Sequence, residues 1–371
     1  MLELNLKKAS FQKELGLVQT VVERRHTIPI LSHVLIESTA DGITICGTDL
    51  DVSLKTRSSA EILGEGSVTV QARKLFDIVR NLPDAEIHLK EEANNRVSLR
   101  CERSRFKITG LSRENFPEIP AFGDARLVIA SDIFKTAIER TVFAPTTQEE
   151  SRYALSGVQL EVFSDSRLRM VATDGHRLSF IEKEIQLPEE FKELKVLVPK
   201  KALAECGRLA AESDEPVEIM TDENHIYFRV GKRQLVSRLL AGQFPNYEMV
   251  LPKENNRVVQ LSGDALAAAL RRVSLVSDER SRAVRMVVSP GRIDLSCRRA
   301  DDDEEAREDV MANYEGEEFE MGFNSQYMLD YFTVSPGGDV RLEFKDGQGP
   351  ALLRPGEDEF DYRYVVMPMR V

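Results

Sequence analysis

Tryptophan is absent from the 371 residues, histidine occurs five times and cysteine only four times. Cys46, Cys101, Cys206 and Cys297 lie far apart with no Cys-x-x-Cys pair, and the histidines have no metal-ligand spacing, so zinc knuckles and dithiol redox motifs are excluded. In a reducing compartment four isolated thiols read as buried or half-buried residues without a chemical role. Long apolar runs are missing as well. No window approaches the roughly 18 consecutive apolar residues of a membrane span, and "MLELNLKKAS" lacks the apolar stretch of a signal peptide. A cytoplasmic protein with no membrane partner is expected. Positive charge is in deficit, with 50 basic against 62 acidic residues and a net charge of -12. That excludes a protein that coats DNA through a net basic face, but not a local basic lining.

What the chain has in abundance is internal similarity. Segments beginning at Val34, Val158 and Val284 each read as strand, polar turn and second strand with alternating apolar residues, and they start 124 and 126 residues apart. Segments beginning at Val70, Val196 and Met321 keep nearly the same spacing. Each reads as a short strand leading into a helix, with Leu75, Ile78 and Val79 as the apolar face of the first. A further helix precedes each unit in "FQKELGLVQTVVERR", "SDIFKTAIERTVF" and "SGDALAAALRRVSLV", with Ser131, Asp132 and Ser262 as N-cap candidates. The fold class is therefore α+β. Three tandem copies of one domain, each with two helices and about eight strands, are expected over residues 1–122, 127–250 and 251–371, and a copy of roughly 125 residues can bury its own core.

Residues 173–179, "TDGHRLS", are the most enzyme-like stretch. A dyad of Asp174 and His176, with or without Ser179, would still need an orienting group and an oxyanion or metal partner. Gly-x-Ser-x-Gly, His-Glu-x-x-His, P-loop and Gly-x-Gly-x-x-Gly do not occur in catalytic form. Thr48-Asp49 of the first copy stands in the register of Thr173-Asp174, so the pair reads as turn chemistry, the Asp bonding nearby backbone. Gly175, His176, Arg177 and Leu178 have no counterpart in the other copies. No catalytic residue, cofactor or metal is expected.

Basic residues recur in register on the helices: Arg73, Lys74 and Arg80 in the first copy, Lys200, Lys201 and Arg208 in the second, Arg271 and Arg272 in the third, with Arg24 and Arg25 ending the first leading helix. A solvated helix face is the ordinary reading of any one of these, but repetition in register points to one lining that faces a polyanion. Without a recognition helix, an aromatic RNA-binding pattern or a zinc finger, such contacts would be to phosphates and independent of sequence.

The whole chain, in order, resembles the bacterial β sliding clamps, the processivity subunit of DNA polymerase III. The resemblance rests on "TIPIL" at 27, "GTDL" at 47, "ARKLFDI" at 72, "SRF" at 104, "VATDGHRL" at 171, "VPKK" at 198, "FPNY" at 244, "MGFNSQY" at 321 and the final "YVVMPMRV". It implies a head-to-tail homodimer, a six-domain ring with helices inside, threaded by duplex DNA and free of catalysis. Twelve helices at ~9 Å spacing make a circle about 35 Å across. Less one helix diameter of ~10 Å, about 25 Å remain clear.

By the same resemblance Arg25, Arg73, Lys74, Arg80, Tyr153, Lys200 and Lys201 touch DNA. Arg105, Phe106, Lys107 and Ile108 form an edge strand that meets the partner's third domain near Leu275 and Val276, with the basic 103–107 stretch complementing the acidic 301–305 run. An apolar cleft would take short motifs from the replicative polymerase α subunit, the clamp loader, and other polymerases and repair proteins. Its implied lining is Leu155, Thr173, Gly175, His176, Arg177, Leu178, Pro245, Val250, Asn324, Tyr327, Val365, Val366, Met367, Pro368, Met369 and Arg370. Met and Val suit a surface that adapts to many partners. Ala154, Met249, Gln348 and Val371 depart from the common pattern of the family and bear on motif preference. A monomeric DNA-associated scaffold and a specialised clamp copy are the alternatives.

Overall fold

In the computed structural model, apolar residues at helical spacing form six helices among the described residues, which are all but 24–26, 147–152, 279, 300–303, 336 and 371. They are α1 (Lys8–Val21), α2 (Ala72–Asn81), α3 (Ser131–Glu139), α4 (Lys200–Ala211), α5 (Gly263–Val273) and α6 (Ser325–Val334), two in each sequence repeat. In α1 the buried stripe is Phe11, Leu15, Val18 and Val21. Gly47 lets α1 lie directly on a strand, because a Cβ there would come within 2.7 Å of Val18 Cγ1. The helix stops at Val21, with Val22 already extended, where three β-branched residues in a row favour that backbone. Arg24 and Arg25 therefore do not end α1, a correction to the expectation, and both lie outside the described residues.

Two of the expected caps differ from one another. Ser262 caps α5, its Oγ accepting from the Ala265 N–H at 3.3 Å. Ser131 does not cap α3. Its buried hydroxyl donates to the carbonyls of Ala210 and Ser213, both at 3.1 Å, satisfying acceptors that the end of α4 leaves open.

All strand pairing among the described residues is antiparallel and falls into four sheets. A five-stranded sheet runs Glu61–Gly64, Glu3–Lys7, Glu86–Glu92, Arg96–Cys101, Ser104–Thr109, and a four-stranded one runs Glu304–Met311, Arg292–Arg299, Ala283–Ser289, Phe319–Asn324. Between these in sequence come two eight-stranded sheets, each assembled from two repeats. In one, Leu127–Ile129, Val217–Thr221, His225–Val230 and Arg233–Arg238 continue into Val52–Ser58, Gly42–Thr48, His33–Thr39 and Ser67–Gln71. In the other, Leu194–Pro199, Gly157–Val162, Arg167–Thr173 and Arg177–Glu184 continue into Asp361–Val366, Ala351–Pro355, Asp339–Phe344 and Arg257–Ser262.

The middle repeat thus gives half of its strands to each neighbour's sheet. Pairing Gln234 with Lys55 and Leu178 with Val365 removes strand edges that would otherwise leave backbone groups unbonded. The chain accordingly divides into two compact units, residues 1–135, 187–191 and 201–239, and residues 136–186, 192–200 and 240–371. All four cysteines are buried, and burial raises the pKa of each thiol, which keeps them protonated and unreactive at neutral pH.

Candidate functional site

The threonine-aspartate pairs build the same turn twice. Asp49 Oδ1 accepts from the backbone N–H of Asp51 and Val52 at 3.0 and 2.7 Å, and Asp174 Oδ1 accepts from those of His176 and Arg177 at 2.9 and 3.0 Å. Thr48 Oγ1 accepts from Leu50 N–H and donates to the Val52 carbonyl, as Thr173 Oγ1 accepts from Gly175 N–H and donates to the Arg177 carbonyl. Even the left-handed position is shared, with φ 81° at Leu50 and 91° at Gly175. Asp174 is therefore a turn residue. Gly175 to Leu178, expected to have no counterpart, match Leu50 to Ser53 in backbone geometry and differ in side chains.

Those side chains change what surrounds the turn. Arg177 is nearly buried and binds Asp174 Oδ2 at 3.1 Å, the carboxylate of Asp330 on α6, the Phe143 carbonyl at 3.1 Å and Tyr364 Oη at 3.4 Å. Its guanidinium lies over the rings of Tyr327 and Phe143, 4.5 and 5.3 Å from their centres. Burial works to lower its pKa, but Tyr364, Asp330 and Asp174 outweigh that and hold it above the ordinary arginine value. Arg177 is thus a hub beneath the surface more than a wall that a ligand would touch.

Beside this hub lies an apolar cluster of Val171, Leu178, Phe180, Leu197, Phe244, Tyr247, Leu352 and Val365, with Ala154, Leu240 and Leu251 packed against it. Leu178 and Val365 are cross-strand partners at its centre. Exposed apolar side chains stand at nearby chain positions: Met249 is 82% exposed, Val250 41% and Met367 41%. Pro245 and His176 are exposed, and the Met367 N–H donates to the His176 carbonyl at 2.9 Å, tying the C-terminal segment to the turn. Pro368 and Met369 are half-buried, with Met369 N–H bonded to the Gly322 carbonyl, and Arg370 is exposed.

Other residues of the expected lining fall outside that cluster. Leu155 and Val366 are buried, and Asn324 is occupied as the N-cap of α6, accepting from Gln326 and Tyr327 N–H. Tyr327 reaches the site through its ring under Arg177 and through its carbonyl, which accepts from Tyr364 Oη at 2.9 Å. Phe244, Tyr247, Phe180 and Leu352 were not singled out from the sequence, although the first two sit in "FPNY", where apolar residues three apart mark one face.

The basic residues sort into two kinds. Arg73, Lys74 and Arg80 are exposed on α2, where Arg73 and Arg80 flank Asp77 at 4.0 and 3.5 Å. Lys201 is engaged internally, bound to the Asp49 carboxylate and to the Val21 carbonyl at 3.0 Å that ends α1. Lys200 donates to the Pro145 carbonyl at 3.3 Å, and burial, then repulsion from Arg177, hold its pKa below the ordinary lysine value. These two lysines are built into the fold. Arg25 lies outside the described residues, as does the side chain of Tyr153.

Family models for the DNA polymerase III beta subunit match the chain from end to end: the N-terminal domain at residues 2–120, the central domain at 128–246 and the C-terminal domain at 248–370. The chain belongs to the DNA polymerase III beta subunit family. Beta sliding clamps from Caulobacter vibrioides and Pseudomonas aeruginosa are each 36% identical over 100% of both chains. Among solved structures, the DNA polymerase sliding clamp of Pseudomonas aeruginosa is similar with TM-score 0.90 at 35% identity, covering 100% of each chain. A Bartonella birtlesii sliding clamp bound to griselimycin is similar with TM-score 0.93 at 34% identity, also covering 100% of each.

Two edge strands of this beta-subunit chain complete the inventory. Ser104–Thr109 is an edge of the five-stranded sheet, with Arg105, Phe106 and Lys107 exposed and Ile108 turned into the core. Glu304–Met311 is an edge of the four-stranded sheet and exposes Glu304, Glu305 and Asp309, while Glu308 pairs with Arg272 of α5 at 2.5 Å. Leu275, 84% exposed, and the half-buried Val276 follow that helix directly. Residues 301–303 of the acidic run lie outside the described residues.

Proposed function

We propose that this chain is a non-catalytic sliding clamp, which encircles duplex DNA and tethers the replicative polymerase and other DNA-processing proteins. The observation that carries this reading is the end-to-end match of all three beta-subunit domains, in order, to chains named beta sliding clamps. The domains are taken as 1–122, 127–250 and 251–371, and the working form is a head-to-tail homodimer in the cytoplasm. No described helix is long and apolar enough to cross a membrane. The basic strand edge at 104–109 and the acidic edge at 304–311 are self-complementary in charge, which favours the head-to-tail contact over like against like.

In this reading Arg73, Lys74 and Arg80 are diffuse phosphate contacts, each of small effect. Lys201 ties the start of α4 to the end of α1 and to the Asp49 turn, and Lys200 bonds the Pro145 carbonyl. Holding on by topology instead of affinity lets a chain of net charge -12 slide without releasing many counterions at once. The Leu178–Val365 cluster with Met249, Val250 and Met367 is the cleft for apolar motifs of the polymerase α subunit, the clamp loader and repair proteins. Loaded on nicked circular DNA, the protein is expected to stay on the circle and to be lost when the circle is linearised. Equal retention on both forms would overturn the topological mechanism.

A further inference from the structure

A row of charge crosses the sheet that underlies the apolar cluster. Lys195, Glu161, Arg169 and Glu182 are direct cross-strand neighbours on four adjacent strands, and their signs alternate. Lys195 Nζ is 2.9 Å from Glu161 Oε1, Arg169 is 3.8 Å from Glu161 Oε2, and Arg169 binds Glu182 Oε2 at 2.7 to 2.8 Å. Glu161 is only 2% exposed. A buried carboxylate loses its hydration and is retained at a cost unless its partners give it a task.

The task is visible in a loop side chain laid on this row. Tyr247 Oη donates to Glu161 Oε2 at 2.5 Å and accepts from Arg169 Nη1 at 2.7 Å. Its ring is at the same time part of the apolar cluster, 6.2 Å from Phe180 and 6.3 Å from Phe244. Burial, then the Glu161 bond, raise the phenol's pKa well above its ordinary value, so the proton stays on the oxygen that donates. Tyr247 opens the short turn Tyr247–Met249, and the backbone hydrogen bonds of that turn run within it, from Met249 to Asn246 and from Val250 and Leu251 to Tyr247. Arg169 adds a looser contact to Glu248 at 3.4 Å. The segment that carries the exposed Met249 and Val250 is thus fastened to the sheet by a phenol between a carboxylate and a guanidinium.

We infer that Glu161, Tyr247 and Arg169 form a latch that positions the Phe244–Val250 segment as one side of the peptide cleft, and that the latch sets the cleft's affinity for apolar motifs. The three are positioning residues and act through Met249 and Val250, which present the surface. The inference rests on the cleft reading proposed above. Apolar recognition depends on a wall held in place, since a mobile wall must be ordered at the moment of binding.

The test uses the full-length protein and a fluorescent synthetic peptide with the sequence of the cognate polymerase α subunit's C-terminal tail. Tyr247→Phe keeps the ring in the cluster and removes only the hydroxyl. It is expected to weaken peptide binding about 10-fold, the order expected of a hydrogen bond to a charged group. Glu161→Gln, which keeps an acceptor for the phenol, is expected to weaken binding less, and the double variant no more than Tyr247→Phe alone. A spin label on Met249→Cys is a selective readout because the native thiols are buried. The label is expected to become more mobile when Tyr247→Phe is added. Unchanged peptide affinity in Tyr247→Phe, with wild-type binding intact, would overturn the latch, whatever happens to the melting temperature. Failure of the wild-type protein to bind the peptide would instead overturn the cleft reading.

Discussion

The turns at Thr48–Ser53 and Thr173–Leu178 have the same backbone and the same pattern of threonine and aspartate hydrogen bonds, yet they serve different surroundings. In the first, the free carboxylate oxygen of Asp49 takes a cation from another element, Lys201 of α4. In the second, Asp174 takes Arg177 from within the turn, and Arg177 reaches on to Asp330, Phe143 and Tyr364. An arginine at the fifth position, where the first turn has Val52, turns a closed structural turn into the anchor of an apolar site. A motif that resembles chemistry is a scaffold in both places, and the neighbours decide what it supports.

The comparison can be broken most sharply at its cations. Arg177→Ala removes the cation shared by Asp174 and Asp330 in a largely buried place, and is expected to cost about 3 kcal/mol or more in denaturant unfolding. Lys201→Ala, at a more exposed pair, is expected to cost roughly 1 kcal/mol. Equal losses would show that the two turns are equally loaded. Exchange of the left-handed residues is a smaller probe. Leu50 holds φ 81° with a branched side chain, so Leu50→Gly is expected to stabilise by up to about 1 kcal/mol, and Gly175→Leu to destabilise by about the same. Thermal melts of the two variants read the sign directly.

The smallest effect concerns a third turn that shares only the aspartate bonding. Asp222 Oδ1 accepts from Asn224 and His225 N–H, both at 2.8 Å, and its other oxygen accepts from Tyr227. Burial would raise its pKa, but these donors prevail and bring it down to about 2. A carboxyl depressed on folding stabilises the protein above its unfolded pKa of about 4 and ceases to do so as pH falls through about 2. Asp222→Asn is expected to remove that acid-range component. A nuclear magnetic resonance titration that placed Asp222 at the ordinary carboxylate value would contradict it.

Much of this was legible in the residues. The repeat spacing follows from comparing segments along the chain, while the helices of each copy, the role of Ser262 and the reading of Asp174 as a turn residue follow from local patterns, where propensity and hydrogen-bond reach are decided within the segment. Partners distant in sequence were not legible. Nothing in "VPKK" tells that Lys201 meets Asp49, 152 residues away, or that Lys200 is half-buried. Ser131 looked like a cap because its neighbours suit one, and lost that role to carbonyls 79 and 82 residues on.

By itself the amino-acid sequence determined the family, the threefold plan and the local turns, because periodicity and short-range bonding are properties of contiguous residues. Only the tertiary structure decided that the middle repeat shares its strands with both neighbours, that Arg177 is an internal hub, and that Tyr247 lies between Glu161 and Arg169. Those outcomes depend on which edges and charges meet once distant segments pack together, since buried strand edges and buried charges are tolerated only when they find partners.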